Sequence, residues 1–182
     1  MPGIETIGKP LGFVEETVQK LNGKEALDIA AGRGRHTRVL LNNGYAVTAI
    51  EYDDGKCSSL ADSYPACTVV KRDVEEKGLP SDWSERFDLV VMTYFLWRPL
   101  FVDIARVLKP GGSFLLETFH MENHLRRGKP GRQHFALEAE EGAQLVLQAG
   151  LEVVLTDEGE RGDVYSSRVW ARKPPPATLQ ND

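Results

Sequence analysis

Apolar positions along this chain switch repeatedly between short continuous runs and helical spacing, the alternation that a layered α/β fold produces. Val14, Val18 and Leu21 share one helical face, and "KEALDIA" after them reads as a first strand. "HTRVLLNN" has the spacing of a helix that Gly44 can close in a left-handed conformation. "YAVTAIE" is a second strand, "GKCSSLADS" a short helix and "CTVVKR" a third strand. Beyond a long polar connection comes a fourth strand, "FDLVVMT". Pro99 then opens a helix with Leu100, Ile104 and Val107 on one side, and "LKPGG" turns the chain into a fifth strand, "SFLLETF". "EAEEGAQLVLQAG" is a helix with acids in its first turns and Gly150 at its stop.

The turn between "LEVVLTD" and "DVYSSRVWAR" is too short for a parallel crossover, so the last two strands are expected to pair antiparallel at the sheet edge. The expected fold is α/β: a single Rossmann-like domain over residues 1–173, with a seven-stranded, mostly parallel sheet, helices on both faces and an antiparallel C-terminal hairpin. Residues 174–182 are expected to form a flexible tail. No internal repeat or compositional shift marks a second domain.

Composition narrows the function classes. With 182 residues, 41% of them hydrophobic, the chain can bury a substantial core, and its net charge of −5 argues against a general nucleic-acid coat. No apolar run is long enough to span a bilayer, and "MPGIETIGKP" has neither the basic start nor the apolar centre of a secretory signal. A cytoplasmic address without a membrane partner is therefore expected. Cys57 and Cys67 lack metal-site spacing and read as small reduced hydrophobes. No pattern in the sequence fixes an oligomeric state.

The candidate chemistry starts at "ALDIAAGRGRHT", Ala26 to Thr37, where an apolar run meets a glycine-bearing turn and then a helix start. Residues without Cβ leave the main chain bare for a ligand, and Glu51 closes the second strand at the interval, about 20 residues, at which an acid can take ribose hydroxyls. A dinucleotide and S-adenosylmethionine both suit such a turn. The dinucleotide fingerprint asks for a small third residue where this chain has Thr37, which weakens that reading.

From about Lys24 to Lys173 the chain resembles class I S-adenosylmethionine-dependent methyltransferases, close to their small tellurite-resistance-like branch. "ALDIAAGRGRHT" resembles the family's first motif, "AIEYD" the acidic second, "FDLVVMTYFLWRPLF" the fourth and "VLKPGGSFLLETF" the fifth. Ala30 stands where many relatives carry the first glycine, and it is expected to keep its backbone in ordinary φ/ψ space. The resemblance implies S-adenosyl-L-methionine as cofactor and S-adenosyl-L-homocysteine as product. It implies that Asp28 meets the methionine amine; that Ala30, Gly32 and Gly34 line the methionyl and ribose parts; that Glu51 takes the ribose hydroxyls; and that Tyr52 lies along the adenine. Asp73 and Val74 would then address the adenine edge, with Thr93 near the methyl group. For Asp28 the competing structural reading is an acid satisfying loop amides, for Tyr52 plain packing, and for Asp73 a solvated loop acid.

A methyl group on sulfonium is already electrophilic, so transfer needs in-line approach and exclusion of water, with no metal or covalent residue required. Tyr94 and His120 are the catalytic candidates, and Arg98, His124, Arg126 and Arg127 the substrate candidates. The last three lie in "HMENHLRRGKPGRQH", which is expected either to hang over the site as a cationic lid for an anionic acceptor or to be a solvated loop. Gly and Pro nearby make a helix holding His120 and His124 doubtful, and with no carboxylate to complete a site, metal binding is not expected. His36 is expected to pack or hydrogen-bond at the helix start.

The function expected is methyl transfer from S-adenosylmethionine to a small-molecule, anionic or soft nucleophilic acceptor. Alternatives are a non-catalytic methyltransferase-like partner subunit, a nucleic-acid methyltransferase, disfavoured by the overall charge, and, further behind, a nicotinamide-dependent oxidoreductase.

Overall fold

Strands that are apolar on both faces need cover on both sides, and the computed structural model, which describes residues 8–175, supplies it with two helical layers. Residues 1–7 and 176–182, the latter most of the expected tail, lie outside the described residues. The strands are β1 Glu25–Ile29, β2 Ala46–Glu51, β3 Thr68–Lys71, β4 Phe87–Thr93, β5 Leu108–Phe119, β6 Glu152–Arg161 and β7 Val164–Arg172. They form one sheet in the order β3-β2-β1-β4-β5-β7-β6. The first five run parallel, and β7 pairs antiparallel with both β5 and β6. The C-terminal hairpin therefore inserts its second strand into the sheet and leaves β6 at the edge.

The helices are α1 Gly12–Val18, α2 Arg35–Asn42, α3 Asp54–Ser63, α4 Val74–Lys77, α5 Leu100–Val107, α6 Met121–Arg127 and α7 Glu141–Gln148. On one face Leu100, Phe101, Ile104 and Val107 of α5 and Val146 of α7 pack over Ile29, Met92, Phe114 and Leu116. On the other, Phe13, Val14 and Val18 of α1 and Val39 and Leu40 of α2 cover Ala26, Val47, Leu89, Val91 and Leu115. The winding reverses between β1 and β4, so a crevice opens beyond the carboxyl ends of these central strands.

Three elements differ from the sequence reading. "LKPGG" lies within β5 instead of preceding it: Leu108 already pairs with Phe87, and a register shift there with Gly111 at φ 79° absorbs the irregularity. The long polar connection contains α4, whose amides are capped by Asp73. The stretch around His120 and His124 is helical as α6, despite the nearby Gly and Pro. The His120 ring caps its start, Glu122 and Arg126 pair along one face, and Gly128 at φ 65° ends it. Among the described residues no helix is long and apolar enough to cross a membrane.

Candidate active site

The crevice is a cleft of about 580 Å³ whose lining comes from the ends of β1, β2 and β4 and from the segments that follow β3 and β5. Its floor is organised by Glu51. This side chain is only 4% exposed. Its Oε2 accepts from the Gly32 amide at 2.9 Å, and its Oε1 accepts from the amides of Tyr52 at 3.0 Å and Asp53 at 3.1 Å. Three main-chain donors thus hold one carboxylate at the cleft edge without using all of its lone pairs. Gly32, at φ 60°, has open space where a Cβ would stand, so the cleft reaches its backbone.

Gly34 has a different job. At φ 83° its missing Cβ would lie 2.5 Å from the Tyr64 ring and 2.7 Å from Leu60, which makes it a close-packing glycine between α2 and α3, outside the cleft lining. Ala30 does line the cleft, but at φ 53°, not in the ordinary φ/ψ region expected for it. An alanine held there costs about 1 kcal/mol relative to relaxed backbone.

Asp28 lies beneath the turn, 2% exposed and outside the cleft lining. Its Oδ2 accepts from the Thr37 hydroxyl at 2.7 Å, so the residue that breaks the dinucleotide fingerprint anchors the acid under the glycine turn. Burial pushes the Asp28 carboxyl up to about 6, against the lowering effect of that hydrogen bond. Asp73 caps α4 through Oδ1, which accepts from the amides of Glu75 at 2.9 Å and Glu76 at 3.2 Å. Asp73 and Val74 line the cleft, and Tyr52, 63% exposed, stands at its mouth.

At the other end stand Thr93 and Tyr94. His36, 2% exposed, accepts at Nε2 from the Leu11 amide at 3.1 Å, and its Nδ1 lies 3.0 Å from Thr93 Oγ1. Burial, then the nearby Arg35, lowers the ring to about 3 and keeps it neutral. A neutral ring that accepts at Nε2 carries its proton on Nδ1 and donates to Thr93, whose own hydroxyl proton is then directed elsewhere. Tyr94, at φ 49°, donates its amide to the Glu117 carbonyl at 2.9 Å and sets its ring against Phe119 at 4.7 Å. Burial and then Glu117 raise the Tyr94 hydroxyl above its usual range, so it stays protonated at neutral pH. Arg35 lies over the Tyr94 ring at 5.1 Å. Glu117 itself, 1% exposed, accepts from Ser166 Oγ at 3.1 Å and Arg168 Nε at 3.0 Å.

The expected cationic lid is an anchored roof that turns apolar groups to the cleft. Pro130 and Phe135 line it, and none of Arg98, His120, His124, Arg126 and Arg127 does. Every guanidinium nitrogen of Arg98 is engaged: Nε and Nη2 donate to Glu141 at 2.5 and 2.9 Å, Nη1 to the His134 carbonyl at 2.6 Å, and Nη2 also to that of Ala136 at 3.1 Å. His120 accepts the Glu122 amide at Nδ1, 3.0 Å, and points Nε2 at Glu158, 3.5 Å away. His124 donates from Nδ1 to the Pro130 carbonyl at 2.7 Å. Arg126 pairs with Glu122 and Arg127 with Glu160. Sequence reasoning weighed the charge of this stretch and missed Phe95, Leu96, Phe119, Pro130 and Phe135, the apolar part of the lining. Their signal was apolar residues directly after the ends of β4 and β5 and inside a basic segment.

The structure thus gathers Ala30, Gly32, Glu51, Tyr52, Asp73, Val74, Thr93 and Tyr94 around one cleft. Bared main chain at Gly32 beside a fixed carboxylate suits a ligand with a ribose, and the free Oδ2 of Asp73 suits a base edge. Among the described residues, no group of three or more His, Cys, Asp or Glu is gathered as a metal site would need.

Residues 27–116 match the family described as methyltransferase domain. The demethylmenaquinone methyltransferases of two Tropheryma whipplei strains are 30% identical over 110 residues, 58% of this chain and 44% of theirs. The chain thus spans less than half the length of these curated relatives. TehB from Haemophilus influenzae superimposes with a TM-score of 0.73 at 18% identity, over 90% of this chain and 62% of that one. An S-adenosylmethionine-dependent methyltransferase from Mesorhizobium loti does so with a TM-score of 0.71 at 17% identity, over 89% and 99%. At such identities the likeness shows the fold.

Proposed function

We propose that this chain, whose residues 27–116 match a methyltransferase domain and whose sheet has the Rossmann-like fold of methyltransferases, moves a methyl group from S-adenosylmethionine to a small-molecule, anionic or soft nucleophilic acceptor. The observation that carries the reading is the Gly32–Glu51 pair, a glycine amide and a pre-oriented carboxylate bordering open space. Fold likeness to TehB supports a place near the small tellurite-resistance-like branch.

Bound there, the cofactor supplies a methyl group that its sulfonium makes electrophilic. Glu51 would accept from the ribose hydroxyls with the lone pairs its amide donors leave free, and Tyr52 would cover the adenine, whose edge Asp73 and Val74 address. Thr93 and Tyr94 would border the methyl end. Tyr94 stays protonated, so its role is to donate and to position, and no general base is assigned. The roof residues Pro130 and Phe135, with Phe119, would keep water from the reacting atoms and give the acceptor an apolar wall.

Calorimetric titration of the full chain with S-adenosylhomocysteine tests the donor half: micromolar binding is expected, and no heat at millimolar ligand from folded protein overturns it. Release of S-adenosylhomocysteine across a panel of small thiols, oxyanions, amines and phenols tests the acceptor half and separates an enzyme from a non-catalytic subunit.

A further inference from the structure

The β4 end of the cleft holds a hydroxyl whose proton has a fixed direction. Thr93, the last residue of β4, lines the cleft, and its Oγ1 lies 3.0 Å from Nδ1 of the buried His36 ring. The Leu11 amide donates to the other ring nitrogen, Nε2, at 3.1 Å, so Nε2 carries no proton and the neutral ring holds its proton on Nδ1. Thr93 Oγ1 therefore receives the ring proton, and its own hydroxyl proton meets no acceptor among the described residues. The amide just before α1 thus sets the polarity of a group at the cleft.

The rest of this end says what that proton meets. After Thr93 the lining from β4, β5 and the roof is Tyr94, Phe95, Leu96, Phe119, Pro130 and Phe135. Among these described residues the side-chain polar groups are the hydroxyls of Thr93 and Tyr94, and both are donors, since burial keeps Tyr94 protonated. The acids of the lining, Glu51, Asp73 and Glu75, end β2 or follow β3. The charged groups nearest Tyr94, Arg35 over its ring and Glu117 held by Ser166 and Arg168, are outside the lining. A neutral acceptor that loses a proton on methylation finds no base here among the described residues. An anionic acceptor has no proton to lose. Its lone pair forms the bond to the methyl carbon, the carbon–sulfonium bond breaks, and that electron pair stays on sulfur, so anion and sulfonium become two products with those charges neutralised.

Resting on the proposed donor site, we infer that Thr93 holds the reacting atom of the acceptor as an anion, thiolate or oxyanion, by donating its hydroxyl proton to it, and that His36 is the positioning residue that keeps this hydroxyl a donor. A hydrogen bond donated to an anion is stronger than one to the neutral acid, so the hydroxyl shifts a bound acceptor toward its ionised form without taking up the proton itself. One donor steadies the anion and leaves its other lone pairs for the methyl carbon.

The ionisation of a bound acceptor is read by absorbance with 4-nitrophenol and 4-nitrothiophenol, whose anions and neutral forms differ in colour. Each is titrated over pH into the full chain saturated with S-adenosylhomocysteine, comparing wild type with Thr93→Val, Thr93→Ser and His36→Gln. Thr93→Val is expected to favour the bound anion about tenfold less than wild type does. Thr93→Ser, which restores the hydroxyl, recovers that preference to within about threefold, and His36→Gln, which can still accept from Leu11, falls between. Affinity for S-adenosylhomocysteine, read by calorimetry, changes by less than about threefold in the Thr93 variants. An anion preference in Thr93→Val equal to that of wild type, no binding of either probe to the wild type, or a loss confined to S-adenosylhomocysteine affinity overturns the inference. Equal loss of probe and nucleoside binding in Thr93→Val and Thr93→Ser alike, with a lowered melting temperature, also overturns it by making Thr93 structural. A wild-type chain that binds no S-adenosylhomocysteine removes the donor reading alone, and Thr93 is then judged on the same titrations without nucleoside.

Discussion

The two ends of the cleft are built by different means. At the β1–β2–β3 end, acids are tied to main-chain amides a short way along the chain: Glu51 to Gly32, Tyr52 and Asp53, and Asp73 to Glu75 and Glu76. At the β4–β5–β7 end, side chains meet side chains across the fold, Glu117 with Ser166 and Arg168, Arg98 with Glu141, and Arg127 with Glu160. The first end depends on turn and cap geometry, which a motif can encode. The second depends on the antiparallel hairpin bringing distant residues to the sheet, so its chemistry can vary without disturbing the first. One fold can in this way keep a nucleoside grip and exchange acceptors.

The largest expected effect tests whether the second end is held by ion pairs. Glu117→Ala leaves Arg168 and Ser166 without their buried acceptor, and urea unfolding should show a loss of about 3 kcal/mol. A loss below about 0.5 kcal/mol, the size of an ordinary surface change, would show the network to be ornamental.

A similar magnitude, hidden in the wild type, belongs to Asp28 and His36. Asp28, raised to about 6, binds its proton more tightly folded than unfolded, so its contribution to stability falls as pH rises from about 4 to about 6. His36, lowered to about 3, binds its proton less tightly folded, so its contribution rises from about pH 3 to about pH 6.5. The two slopes oppose each other. Relative to wild type, Asp28→Asn should gain, and His36→Gln should lose, on the order of 2 kcal/mol between pH 4 and 6. Difference curves from urea melts at several pH values are the measurement, and flat curves would refute the opposition.

At the first end, Glu51→Gln should weaken S-adenosylhomocysteine by about 2 kcal/mol, read by calorimetry. Unchanged affinity would remove the nucleoside grip. The smallest effect is at Ala30: replacing it with glycine relieves the left-handed strain but loosens the unfolded chain, so thermal unfolding should show a net gain of less than about 1 kcal/mol. A destabilised Ala30→Gly would mean that the methyl group packs favourably enough to outweigh its backbone.

The seven strands, the antiparallel hairpin and the grouping of Gly32, Glu51, Tyr52, Asp73, Val74, Thr93 and Tyr94 were legible because strand ends and turns announce themselves locally. Gly34 was misread because the same GxG spelling serves ligand access at one glycine and helix packing against Tyr64 at the other. The left-handed backbone of Ala30 was invisible, since residue type argues against it and only the surrounding fold imposes it. Helix α6 was obscured by Gly and Pro just beyond its end, although its His120 cap and Glu122–Arg126 pair were in the letters. Arg98, Arg126 and Arg127 read as substrate candidates because their partners lie on other elements or follow from an unexpected helix.

The roof is bolted at two margins. Asn123 donates to the Lys129 carbonyl and accepts from the Tyr165 amide on one side, and Arg98 grips two carbonyls and Glu141 on the other. On the proposed function, a cover fastened at both margins is expected to let ligand exchange past the exposed Tyr52 edge without lifting.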